Sequence, residues 1–186
     1  MRCFIAVPLK EWEEPVGKVI EYIRKGISGI KWVEKENVHI TLKFLGETEE
    51  GKREKIADIL QKISSQYLPF QIKVTSIGAF PSSSLPRVIW LGVDDGGVLK
   101  RMAKEIENAL IPLGWEKEGR EFHPHVTLGR VKKKVNKGWW KGVMKMELPT
   151  FPPLQVRELI LYQSILGKEG PTYIPLNKFL LGGKNG

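Results

Sequence analysis

Residues 39–46 read HITLKFLG, and residues 125–131 read HVTLGRV. The chain has three histidines, and two of them head the same His-x-Thr-Leu string. Side chains alternate across a strand, so His39 and Thr41 share one face while Val38, Ile40 and Leu42 turn to the other. In the second copy His125 and Thr127 share a face, with Phe122, Val126 and Leu128 opposite. Each strand therefore offers an imidazole and a hydroxyl on one side and an apolar face to a core on the other.

The surroundings of the two strings also match. Before the first lie an apolar strand at CFIAV (3–7) and an amphipathic helix over roughly 11–25, striped by Trp12, Val16, Val19, Ile20 and Ile23. Pro15 fits within its first turns. Gly46 ends the first motif strand, and Thr48 is the expected N-cap of a second helix carrying Ile56, Ile59, Leu60 and Ile63. Strands follow at FQIKVTSIGAF (70–80) and RVIWLGV (87–93), separated by the turn PSSSLP. A helix over roughly 97–111, with Leu99, Met102, Ala103, Ile106 and Leu110 on its stripe, leads to the second motif strand. After a lysine-rich connection, VRELILYQSIL (156–166) supplies another strand.

His125 minus His39 is 86, and the same offset carries the first strand, the first helix and the 70–80 strand onto later counterparts. One offset that aligns four features is the pattern of an internal duplication. The expected fold is α+β: two similar lobes related by a pseudo-two-fold axis, each an antiparallel sheet backed by helices. They form a single bilobal domain over 1–186, with the two His-x-Thr strands facing each other across the cleft.

Composition narrows the class of protein. The 186 residues are 41% hydrophobic and 27% charged with no low-complexity tract, which describes a compact globular chain long enough for a sizeable core. The start, MRCFIAVPLK, holds too short an apolar run for a signal peptide, and no stretch approaches the roughly 20 apolar residues of a membrane helix. A cytoplasmic monomer with no membrane partner is the expectation. Cys3, the only cysteine, reads as a small buried apolar residue. A net charge of +9 points towards a polyanionic partner. Abundant lysine and glutamate with little asparagine, glutamine or cysteine also fits a protein from a hot environment.

Two imidazoles facing one substrate suit in-line displacement at phosphorus, one deprotonating the nucleophile while the other protonates the leaving oxygen. The threonine hydroxyls would donate hydrogen bonds to non-bridging phosphate oxygens. Catalytic zinc usually takes three protein ligands and structural zinc four, whereas this chain offers one cysteine, one further histidine and no acidic residue within either motif. Neither a metal nor a cofactor is expected. The G-x-S-x-G and G-x-x-x-x-G-K-[ST] signatures of serine hydrolases and P-loop enzymes do not occur.

The doubled HITLKFLG and FHPHVTLGR resemble the two signature motifs of the two-histidine phosphoesterase superfamily. Flanking sequence, including MRCFIAV and ELILYQSIL, most resembles its RNA 2′,3′-cyclic phosphodiesterase branch, also called 2′-5′ RNA ligase. The resemblance spans essentially the whole chain. It implies metal-independent opening of a 2′,3′-cyclic phosphate to a 2′-phosphomonoester, with His39 as general acid at the departing 3′ oxygen and His125 as general base activating water. Thr41 and Thr127 would hold the phosphate. The implied partner is RNA ending in a 2′,3′-cyclic phosphate, tRNA fragments among the candidates, and reversal with an RNA 5′-hydroxyl would give a 2′-5′ linkage.

The resemblance also places Phe44 against the base and Arg130 near the substrate. Strict alternation gives both the core-facing parity, unless a bulge or the strand's end re-aims them. Lys43 has the parity of His39 and reads as a solvated lysine or as cleft lining. His123 reads as a bystander. In KKKVNKGWWKGVMK (132–145), lysines and tryptophans could meet RNA, or the tryptophans could pack inward. Two other functions fit parts of the pattern: a phosphodiesterase of small nucleotides such as ADP-ribose cyclic phosphate or 2′-5′ oligoadenylates, and a non-enzymatic RNA-binding module, which would not need the paired histidines.

Overall fold

The computed structural model describes residues 1–82 and 84–183. Its strands are β1 (Arg2–Pro8), β2 (Ile30–Trp32), β3 (His39–Glu47), β4 (Phe70–Pro81), β5 (Pro86–Asp94), β6 (His125–Val131), β7 (Leu154–Val156), β8 (Glu158–Gly167) and β9 (Gly170–Leu180). The helices are α1 (Glu13–Ile23), α2 (Arg53–Ser65), α3 (Val98–Leu110) and α4 (Lys137–Lys145). The strands form two antiparallel sheets, one ordered β3-β1-β8-β9 and the other β2-β6-β5-β4-β7.

The 86-residue offset carries β3 onto β6, β1 onto β5 and β4 onto β8, so the order β3-β1-β8 in one sheet matches β6-β5-β4 in the other. The exchange of last strands is the notable point. β8 comes from the second half of the chain yet pairs with β1, and β4 comes from the first half yet pairs with β5. The helices cross in the same way. α2 packs on β8 and β9 and against α3, which meets β3, while α4 packs on β4. Trp139 Nε1 donates to the Ile23 carbonyl at 2.9 Å, tying α4 to α1.

Helix stripes expected from periodicity are buried at Val16, Val19, Ile20 and Ile23 on α1, Ile56, Leu60 and Ile63 on α2, and Leu99, Met102, Ala103, Ile106 and Leu110 on α3, while Ile59, also expected on the α2 stripe, is half-buried against the core. Trp12 is fully buried in the turn before α1, and its Nε1 donates to the Pro152 carbonyl at 2.7 Å. Cys3 is a buried free thiol.

Two expectations for 46–53 are corrected. Gly46 lies inside β3 at φ +65°, a left-handed conformation that suits a residue without Cβ, and the strand continues to Glu47. Thr48 does not cap α2. Its hydroxyl donates back to the Gly46 carbonyl at 3.0 Å, and a 3-10 turn at Glu50–Lys52 separates it from the helix.

The motif strands break their alternation at matching points. Opposite β1, Ala6 pairs with Thr41 and Ile5 with Lys43, so Leu42 is skipped. Opposite β5, Trp90 pairs with Thr127 and Ile89 with Gly129, so Leu128 is skipped. The skipped leucines are 128 − 42 = 86 residues apart. A bulge inserts one residue and reverses the facing of those beyond it. Leu42 and Lys43 are consequently both buried and Phe44 emerges 59% exposed, while Leu128 and Gly129 are both buried and Arg130 emerges exposed.

Lys43 therefore neither lies in solvent nor lines the cleft as a free cation. It is 5% exposed, pairs with Glu107 at 3.3 Å and Glu118 at 3.7 Å, and donates to the Glu116 carbonyl at 3.1 Å. Its counterpart Gly129 is crossed by β2 so closely that a Cβ would meet Trp32 at 2.8 Å. The bulge yields a direct test by urea unfolding. Phe44→Ala should change stability by less than about 1 kcal/mol, as an exposed site does, whereas Leu42→Ala should cost about 2–5 kcal/mol. Equal losses would show that Phe44 is a core residue.

Candidate active site

β3 and β6 approach one another directly, one from each sheet. Between the sheets lies a cleft of about 560 Å³, within the usual range for small-ligand sites. All six residues expected to form the site line it: His39, Thr41 and Phe44 from β3, and His125, Thr127 and Arg130 from β6.

The two histidines are anchored alike. His39 Nδ1 lies 2.7 Å from the Asn37 carbonyl, and His125 Nδ1 lies 2.8 Å from the His123 carbonyl. A carbonyl only accepts, so each Nδ1 carries the proton and each neutral ring keeps its lone pair on Nε2. His123 thus contributes through its backbone, while its side chain is exposed. The copies differ at the other nitrogen. His39 Nε2 is 2.9 Å from Thr41 Oγ1, which donates to the neutral ring. Among the described residues His125 Nε2 has no hydrogen-bond partner.

Aromatic rings fix both imidazoles. Phe4 and Tyr173 lie against His39 at centroid distances of 5.0 and 5.3 Å, and Phe80 meets His125 edge-on at 5.1 Å. Asn37, Tyr173 and Phe80 also line the cleft, and the motif spacing gave no sign of them. Their contributions come from neighbouring elements. Tyr173 sits on β9, which the sequence reading did not anticipate.

Burial lowers the pKa of His39 below the ordinary histidine value. The Asn37 carbonyl opposes that shift, while charge on His125 and Arg130 adds to it. Burial likewise lowers His125, opposed by the His123 carbonyl and reinforced by Arg130 and the His123 side chain. Arg130 thus acts electrostatically on both rings from the rim. An anion entering between Arg130 and the two imidazoles would stabilise their charged forms and reverse part of that depression. Among the described residues no three His, Cys, Asp or Glu side chains cluster as metal ligands.

A site with two opposed imidazoles, two hydroxyls and a rim arginine, set between paired antiparallel sheets, has the chemistry of a phosphoesterase. The family model described as LigT like Phosphoesterase matches the chain twice, over residues 10–90 and 91–173, each match containing one His-x-Thr string. The chain belongs to that family. It is 40% identical over 179 residues to the RNA 2′,3′-cyclic phosphodiesterase of Archaeoglobus fulgidus, covering 96% of this chain and 99% of that protein. It is also 40% identical over 175 residues to the RNA 2′,3′-cyclic phosphodiesterase of Methanocaldococcus jannaschii, with 93% and 96% covered. The crystal structure of E. coli LigT complexed with 3′-AMP superposes with a TM-score of 0.77 at 26% identity, covering 97% of each chain.

The electrostatics predict the titration of the free protein. By NMR, both imidazoles should titrate below about pH 6.5, the unperturbed histidine value, with proton on Nδ1 in the neutral forms. Added inorganic phosphate should raise both midpoints. A midpoint above the ordinary value for either ring without phosphate would contradict the site's electrostatics.

Proposed function

We propose that this chain hydrolyses RNA 2′,3′-cyclic phosphate ends to 2′-phosphomonoesters, and that residues 1–186 act as a single bilobal unit derived by internal duplication. The observation that carries this reading is the pair of imidazoles in one cleft, each with Nδ1 held by a backbone carbonyl two residues upstream. The names of the archaeal relatives supply the substrate class. Both motifs come from one chain, so a monomer suffices for the chemistry.

His125 is the general base: its Nε2 lone pair is open to water and takes a proton as the water oxygen attacks phosphorus. The bond from phosphorus to O3′ breaks, and charged His39 gives its Nε2 proton to O3′. When His39 is charged, both ring nitrogens donate, to the Asn37 carbonyl and to Thr41 Oγ1 or the leaving oxygen. Thr41 and Thr127 donate to the non-bridging oxygens, and Arg130 balances the charge that develops there. Phe44, exposed on the rim, offers a face for the terminal base. With an RNA 5′-hydroxyl in place of water, the same displacement at phosphorus, again expelling O3′, would yield a 2′-5′ linkage.

The test is turnover in EDTA of a nucleoside 2′,3′-cyclic phosphate, of an RNA ending in one and of ADP-ribose cyclic phosphate, with the product phosphate located by NMR. RNA should be opened to the 2′-phosphate, and preference for ADP-ribose cyclic phosphate would overturn the substrate reading. His39→Ala and His125→Ala should each lose about 10²–10⁴-fold in kcat; undiminished rates would refute their roles. The kcat/KM profile should be bell-shaped with its maximum below about pH 6.5, since that parameter reports the free enzyme. The two limbs belong to the coupled pair. A simple rise to a plateau through neutral pH would exclude the two-histidine mechanism.

A further inference from the structure

A second cavity, of about 530 Å³, opens at the end of the β2-β6-β5-β4-β7 sheet. Its walls carry Arg87, Lys133, Lys134, Lys137 and Lys141 and no acidic residue. Among the described residues none of these five cations forms an ion pair. The remainder of the lining is largely apolar, with Leu85, Pro86, Val131, Val135 and Trp140. Trp140 is 3% exposed, and its Nε1–H has no partner among the described residues. A cup with a partly apolar lining and a cationic rim fits a ligand with both flat faces and negative charges.

The cavity begins where the cleft ends. Val88 and Arg130 are paired across β5 and β6 and line the cleft, while the adjacent Arg87 and Val131 line the cavity. One residue of strand is about 3.4 Å, so a chain leaving the cleft has to round only the sheet's end to enter it. The tryptophans of 132–145 do not serve as exposed stacking platforms. Trp139 is tied to Ile23, and Trp140 is buried. What the segment presents is its lysines.

We propose that this cavity binds the RNA strand of the substrate itself, holding a nucleotide 5′ to the cyclic end with its phosphates on the lysines. The proposal rests on the cyclic phosphodiesterase reading and extends it. An RNA with a cyclic 3′ end has chain only on its 5′ side, so a strand leaving the cleft arrives with one orientation. Charge complementarity selects a polyanion, and the apolar part of the lining favours exposed bases over a bare anion.

The experiment compares hydrolysis of a mononucleoside 2′,3′-cyclic phosphate with that of RNAs two, three and five nucleotides long ending in the same group. For wild type, kcat/KM should rise with length and then level off. In the K134Q/K137Q/K141Q variant, kcat/KM for the five-nucleotide RNA should fall about 10-fold through KM, while the mononucleotide stays within about two-fold. Loss of three phosphate contacts should also flatten the log-log salt dependence of RNA binding by about two. The corresponding three-arginine variant should restore both, which separates charge from folding. Anisotropy of labelled RNA ending in a 3′-hydroxyl reads the cavity even if turnover fails, so failure of the chemical reading is distinguishable. A rate independent of length, equal losses on both substrates, or unchanged RNA binding by the glutamine variant would overturn the proposal. AMP that displaces the RNA without slowing mononucleotide turnover would overturn it in favour of a free nucleotide.

Discussion

The arrangement depends on two exchanged strands. β8 fills the place beside β1 that sequence proximity would give to β4, and β4 takes the equivalent place beside β5. Each sheet is therefore built from both halves of the chain, and neither half can bury its own core alone. Burial of apolar area is the main favourable term in folding, so the same free energy that closes the core sets the position of one sheet against the other. That shared core presses β3 and β6 together, and the cleft between them is a consequence of closing it.

Much of this was legible in residue spacing. Helix stripes and apolar strand runs are periodic, and their repetition at one offset exposed the duplicated layout before any pairing was known. What escaped was decided by neighbours. β9 carries Pro171 and Pro175, which argue against a strand, yet it pairs only with β8 at the sheet's edge, where a missing donor is tolerated. β2 is three residues long and exists through its pairing with β6. Lys43 looked polar and outward because alternation extrapolates past Leu42; the bulge turned it inward, and only the fold could supply Glu107 and Glu118 as its partners.

The bulge also explains why simple parity disagreed with the family resemblance over Phe44 and Arg130. Three residues after each threonine, alternation would bury the side chain, and a skipped leucine brings it back to the cleft. A strand can thus place three residues of a site on one face, at i, i+2 and i+5, while its intervening residues remain in the core. Burying an unpaired arginine would have been costly, and the bulge removes that conflict.

The two copies differ in geometry where their neighbours differ. Both imidazoles are fixed through Nδ1 in the same way, yet only His39 has its other nitrogen engaged by the threonine of its own motif. At the re-aimed position one copy carries an aromatic ring and the other a cation, Phe44 and Arg130. A symmetric pair would have no reason to divide one proton unequally. Here burial depresses both rings, Arg130 adds to the depression on each, and the local hydrogen bonds differ. A base needs a free lone pair and an acid needs an acceptor that steadies its charged form until transfer. His125 meets the first requirement and His39, with Thr41, the second. An arriving phosphate would supply the missing charge balance, so protonation of the proposed acid His39 would be coupled to occupancy of the cleft.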